Sequence, residues 1–163
     1  MSVISRTTLA PGLEISRVVT GLWQIADMER DGRTIDLDAA ARAMTPYIDA
    51  GFTSFDMADH YGSAEIIAGR CRVLGDPARL QLFTKWVPKP GPVSAADVRA
   101  AIERSLTRLQ MPAIDLLQFH AWNYADPSWL DALFHLQDLK REGLIRQIGL
   151  TNVDAAHLRV VLA

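Results

Sequence analysis

Two rhythms of apolar residues alternate along this chain. Short apolar runs alternate with longer stretches whose apolar positions fall three or four residues apart, the spacing of one helix face. Thr8–Arg17 (TLAPGLEISR) divides into two apolar segments around Pro11-Gly12, a pair suited to a tight turn, and predicts a hairpin. Val18–Trp23 (VVTGLW) predicts a buried strand that ends in a glycine turn. Leu37, Ala41, Met44 and Ile48 then recur at helical spacing and Gly51 stops the helix, with Pro46 implying a kink or a late start. Thr53–Ala58 (TSFDMA) is the next strand. Ser63–Leu74 is a helix with Ile67, Cys71 and Leu74 on one face, ended by Gly75. Leu80–Val87 is a strand. Ser94 and Asp97 have the spacing of a capping box, and Val98, Ile102, Leu106 and Leu109 follow on one side before Pro112. Ile114–Ala121 (IDLLQFHA) is a nearly continuous apolar strand. Asp126-Pro127 predicts a helix start by cap and first-turn proline, with the helix running to about Glu142 and closing at Gly143. Leu144–Asn152 is a fifth strand, and Asp154 caps a last helix ending at Ala163.

Five apolar strands, each followed by an amphipathic helix, predict a parallel α/β sheet with right-handed crossovers. The pattern allows a doubly wound sheet or part of a (β/α)₈ barrel. No G-x-G-x-x-G follows the first strand, which counts against a dinucleotide-binding Rossmann unit. The 163 residues suffice for a single domain with its own core, and no internal repeat divides them. Seventeen basic and 19 acidic residues give a net charge of −2, without a basic block, so neither nucleic acid nor an anionic membrane is an expected partner. Cys71 is the single cysteine, which excludes an internal disulfide and suits a reducing, cytoplasmic setting. No signal-peptide core and no apolar run long enough to span a bilayer is present. No metal-ligand spacing stands out.

The polar residues at the strand ends change the picture. Asp56 ends the second strand, and Tyr61 stands in the loop after it. Lys85 lies near the end of the third strand, His120 at the end of the fourth, and Thr151-Asn152 close the fifth. In parallel βα architectures sites form at this C-terminal edge. A free phenol titrates near ~10 and is a poor acid at neutral pH. A nearby ammonium favours the phenolate, and Lys85 is the candidate ammonium, with Asp56 as its counter-ion. A neutral His120 is suited to orienting a substrate oxygen. Together these groups suit proton donation to a carbonyl oxygen while a hydride attacks the carbon. A lyase using Lys85 as a Schiff base is an alternative, and it leaves Tyr61 and Asn152 without a role. Asp59 is a rival to Asp56, with a turn or solvent role the plainer expectation, and His60 is expected to be an ordinary loop residue. Glu65 is expected to serve its helix dipole, Cys71 to be buried, and Asp115 to be a structural carboxylate at a strand start.

Several stretches resemble the aldo-keto reductases: LEISRVVTGLWQ, GFTSFDMADHYGSAE, LFTKW, IDLLQFH and IGLTN, together covering the chain from about Leu9 onward. The resemblance implies a catalytic tetrad of Asp56, Tyr61, Lys85 and His120. It implies cofactor contacts from Gly21, Leu22, Asp56, Thr151 and Asn152, with Asn152 holding the nicotinamide carboxamide. Trp23, Trp86 and Trp122 would line an apolar substrate pocket. The implied fold is a (β/α)₈ barrel, the cofactor NADP with NAD as the alternative, and the substrate an aldehyde or ketone reduced to an alcohol. A whole barrel of this kind takes roughly 250 residues. Residues 1–163 are therefore expected to form one incomplete domain truncated at the C-terminus, with a hairpin at 8–17 and βα units at 18–163. The nicotinamide-stacking aromatic and the phosphate-gripping loops belong, by the resemblance, to later strands. The isolated chain is therefore expected to bind cofactor weakly and to be inactive alone. Exposed sheet edges lead to an expectation of self-association or of pairing with a missing C-terminal half. A non-catalytic subunit of the same fold is the alternative reading, against which the intact tetrad counts.

Overall fold

The computed structural model describes residues 4–26, 34–122 and 124–163. An antiparallel hairpin of β1 (Arg6–Ala10) and β2 (Leu13–Ser16) opens the chain. Gly12 supplies the positive φ of +75° that its turn requires. The sheet then follows in chain order: β3 (Thr20–Gly21), β4 (Ser54–Asp56), β5 (Gln81–Trp86), β6 (Ile114–His120) and β7 (Ile145–Thr151). All four neighbouring pairs are parallel, β3 to β7 in order. Helices α1 (Leu37–Ala43), α2 (Thr45–Asp49), α3 (Ala64–Leu74), α4 (Ala95–Leu109), α5 (Trp129–Arg141) and α6 (Ala155–Leu162) occupy the crossovers and the last segment.

Strand alternation sends odd and even residues to opposite faces. On the helix side, Phe55, Leu82, Trp86, Leu117 and Phe119 join Ile67, Val98, Ile102 and Leu136 in the main core. On the inner side, the hairpin closes the N-terminal end of the sheet, where Leu13 and Ile15 pack on Phe83 and Leu116. Polar contacts fasten it there. Ser16 N–H donates to Ser54 Oγ at 2.9 Å, and Arg6 donates to Thr53 Oγ1 and Gln81 Oε1. Asp115, buried at the strand start, accepts from Leu82 N–H and from Arg146. Burial pushes its carboxyl above the usual range, against the pull of those two donors. The hairpin thus leaves the opposite, C-terminal edge of the sheet free for a site.

Two expectations are corrected, and the one at Pro46 is met. The strand predicted at Val18–Trp23 is two residues long, and Val18 is 55% exposed, because the apolar pair precedes the pairing with β4. The first helix does break where Pro46 implied a kink: it stops at Met44, since Pro46 lacks the N–H that would continue it, and Pro46 lies in the first turn of α2. Helix α5 begins at Trp129 rather than at Pro127. Asp126 spends its carboxylate on Ser128, accepting from both its N–H and its Oγ–H, and this local turn displaces the cap. The capping box at Ser94 and Asp97 and the Asp154 cap form as the spacing predicts.

Candidate functional site

Asp56, Lys85, Gln118 and His120 stand on three adjacent strands, β4 to β6, with their side chains on the inner face at the C-terminal edge. Lys85 Nζ donates to Asp56 Oδ2 at 2.5 Å and to the Met57 carbonyl at 2.9 Å, so two of its three N–H bonds are committed to β4 and its extension. The same Nζ lies 5.2 Å from the centroid of the Tyr61 ring. The loop carrying Tyr61 is tied to the strand end because Asp59 N–H donates to the Lys85 carbonyl at 2.9 Å and Tyr61 N–H to the Ala58 carbonyl at 3.1 Å. Gln118 Nε2 donates to Asp56 Oδ1 at 2.7 Å. Both oxygens of the Asp56 carboxylate are therefore engaged.

His120 reaches the same rim and is held through both ring nitrogens. Asn152 Nδ2 lies 3.0 Å from Nε2 and Thr151 Oγ1 lies 2.8 Å from Nδ1. An amide N–H can only donate, so Nε2 accepts; the ring proton sits on Nδ1 and is donated to the Thr151 hydroxyl. The imidazole is neutral in this arrangement. Burial first, then the neighbouring His60 and Lys85 charges, hold it below its usual range, while Asp59 pulls the other way. Asn152 reaches its position through a left-handed backbone, φ +58°, a conformation asparagine tolerates better than most residues. His60 completes the rim: its ring meets Tyr61, Trp122 and His120 edge-on at centroid distances of 4.9, 6.1 and 6.3 Å. Its Nδ1 lies 3.1 Å from Asp59 Oδ1.

The expected tetrad residues, with Thr151 and Asn152, thus come together. Of the tryptophans, Trp122 stands over the rim, 64% exposed and 5.0 Å from the His120 ring. Trp23, two residues after Gly21 in the chain, is 41% exposed. Trp86 does not join them. It follows Lys85 directly, so alternation turns it to the helix side, where it packs edge-on against Phe119. Leu22 likewise turns into the helix-side core, although its backbone N–H reaches the Asp56 carbonyl at 2.9 Å. Gly21 keeps open space where a Cβ would stand. Glu65 does more than serve a helix end. Buried to 1% exposure, it accepts from Thr84 Oγ1 at 2.7 Å and pairs with Arg108 at 3.2 Å. Arg108 also donates to the Asp59 carbonyl at 3.0 Å, so α3 and α4 jointly grip the loop before Tyr61. Gln118 and His60 were not anticipated as rim residues. Gln118 was legible in principle, because it lies two residues before His120 and so shares its face.

Comparison with known proteins follows the same line. The family model described as "Aldo/keto reductase family" matches residues 17–163. Human aflatoxin B1 aldehyde reductase member 2 is 35% identical over 126 residues, covering 74% of this chain and 35% of that protein. A thermostable aldo-keto reductase solved with the inhibitor epalrestat superposes with a TM-score of 0.82 at 25% identity, over 97% of this chain and 57% of that one. An aldo/keto reductase from Klebsiella pneumoniae, solved with NADP and acetate, superposes with a TM-score of 0.75 at 25% identity, over 91% and 50%. The chain spans about a third to a half of the length of the curated relatives it matches.

Proposed function

The chain belongs to the aldo/keto reductase family, and from that premise we propose that it is an NADP(H)-dependent oxidoreductase that reduces an aldehyde or ketone to an alcohol. The observation that carries the reading is the meeting of Asp56, Lys85, Tyr61 and His120 at one strand edge. Rim residues fit a nicotinamide. Asn152 offers an amide and Thr151 a hydroxyl, the donor and acceptor types a carboxamide needs, and Gly21 presents no side chain. A relative solved with NADP supports the choice of cofactor. Bound there, the cofactor supplies a hydride for the carbonyl carbon.

The chain's own groups do the rest. Tyr61 gives its phenolic proton to the carbonyl oxygen. Lys85, beside the ring, favours the phenolate this leaves, and Asp56 holds Lys85 in place. His120 orients the carbonyl oxygen. For that it must free Nε2 from Asn152, after which the Thr151 hydroxyl donates to Nδ1 instead of accepting, and Nε2 becomes the donor. The partner proposed is a small carbonyl compound; at the open sheet edges, a second copy of the chain is proposed. No described helix is long and apolar enough to cross a membrane, and a reducing compartment, the cytoplasm, is proposed from the buried thiol of Cys71.

The test is NADPH consumption by the purified chain with p-nitrobenzaldehyde, compared with Tyr61→Phe. The expected result is a fall of about 100-fold or more in kcat with the melting temperature kept. A rate that survives the substitution rejects the reading, whereas a wild-type chain that never oxidises NADPH across a panel of aldehydes and ketones meets the expectation that the isolated chain is inactive alone.

A further inference from the structure

We propose that Gln118 is a positioning residue that aims the Asp56 carboxylate at Lys85. The inference rests on the carbonyl-reductase reading and extends it to a residue that carries no charge.

The register makes the placement specific. Gln118 is the Cα partner of Lys85 on β5, and on its other side it faces Gly149 of β7. Gly149 brings no side chain; a Cβ there would lie 3.5 Å from Gln118 Cγ. The amide is therefore unopposed from β7, and it reaches across β5 to β4, where Nε2 donates to Asp56 Oδ1 at 2.7 Å. Asp56 Oδ2 then faces Lys85 Nζ. A carboxylate turns easily about its last torsion, which is broad for aspartate. With a donor on each oxygen that rotation is pinned. Lys85, held by Asp56 and the Met57 carbonyl, is in turn fixed beside the Tyr61 ring. The side-chain hydrogen bond of Gln118 goes to Asp56. It acts through Asp56.

An amide suits this place because it donates to a carboxylate at every pH without adding charge. A leucine has the volume but not the donor. A glutamate donates only while protonated; once ionised it is a second carboxylate that repels Asp56 and competes for Lys85.

The experiment has two arms. In the ligand-free wild-type chain, the Gln118 side-chain amide is identified in a ¹⁵N-correlated spectrum by its loss in Gln118→Leu. It is expected to show a nuclear Overhauser contact to the Asp56 β-protons and slowed exchange. In the kinetic arm, Gln118→Leu is expected to lose about 10- to 100-fold in kcat with KM for NADPH within about 2-fold. Gln118→Glu is expected to recover relative to wild type as pH falls, a pH signature that lost packing does not produce. Turnover with no such contact, wild-type kcat in Gln118→Leu, or a pH-independent ratio for Gln118→Glu overturns the proposal. A chain that shows the contact but never turns over meets the expectation of an inactive isolated chain and still supports the placement of Asp56 by Gln118.

Discussion

At the scale of single residues, His120 couples the site to stability. Its folded value lies below the 6.5 of a free imidazole, chiefly through burial. Between the two values the unfolded chain binds the extra proton, so the contribution is complete above about pH 6.5 and is lost as pH falls through the folded value. Urea unfolding across about pH 5 to 8 is therefore expected to show stability dropping on the acid side, and His120→Gln is expected to flatten the slope. Equal slopes in both proteins would sink this. The residue types at and just after the strand ends made this cluster visible, because a carboxylate, an amine, a phenol and an imidazole placed there have a shared chemistry. Two things escaped for physical reasons. Gln118 has no charge to draw notice, although the period of the strand puts it beside His120. Trp86 was placed in the pocket by the family resemblance, although it directly follows Lys85 and adjacent strand residues face opposite ways.

At the scale of elements, the contact between α3 and α4 matters most for the Tyr61 loop. Gly69 of α3 lies so close to α4 that a Cβ would stand 2.1 Å from the Arg108 carbonyl oxygen and 2.9 Å from Leu109 C. Backbone cannot yield as a flexible side chain can. Gly69→Ala is expected to push the helices apart and to cost about 1–3 kcal/mol in urea unfolding. Since Arg108 also holds the Asp59 carbonyl, the same change is expected to lower kcat beyond what stability explains. A Gly69→Ala protein as stable as wild type removes the close-packing account. Sequence periodicity located these helices, and the capping box at Ser94 marked the start of α4. It could not reveal that Gly69 is a crossing point, because close approach is a property of two elements seen together. Local turn chemistry defeated the pattern at Asp126, where a carboxylate with two nearby donors on Ser128 satisfied itself before the helix began.

At the scale of the molecule, the strand count follows from alternation and the hairpin from Pro11-Gly12, while the sequential order is that of the barrel the family resemblance implies, since alternation alone also allows a doubly wound sheet. What alternation leaves open is closure. Among the described residues β3 pairs with β4 alone and β7 with β6 alone, so each edge keeps a row of backbone groups without a strand partner. Beside β7 runs a groove of about 530 Å³ whose lining includes Phe134, Leu150, Leu158 and Val161, and Phe134 is 66% exposed. Free edges flanked by apolar surface favour strand addition. A net charge of −2 opposes it only weakly. Light scattering after size exclusion is thus expected to give an apparent mass that climbs above the monomer with concentration. Phe134→Asp with Leu162→Asp, both at exposed positions, is expected to shift the mass back toward the monomer without lowering the melting temperature. The edge argument fails if the wild-type chain stays monomeric up to its solubility limit, because unpaired β7 backbone and the apolar groove would then have no measurable pull on a second chain.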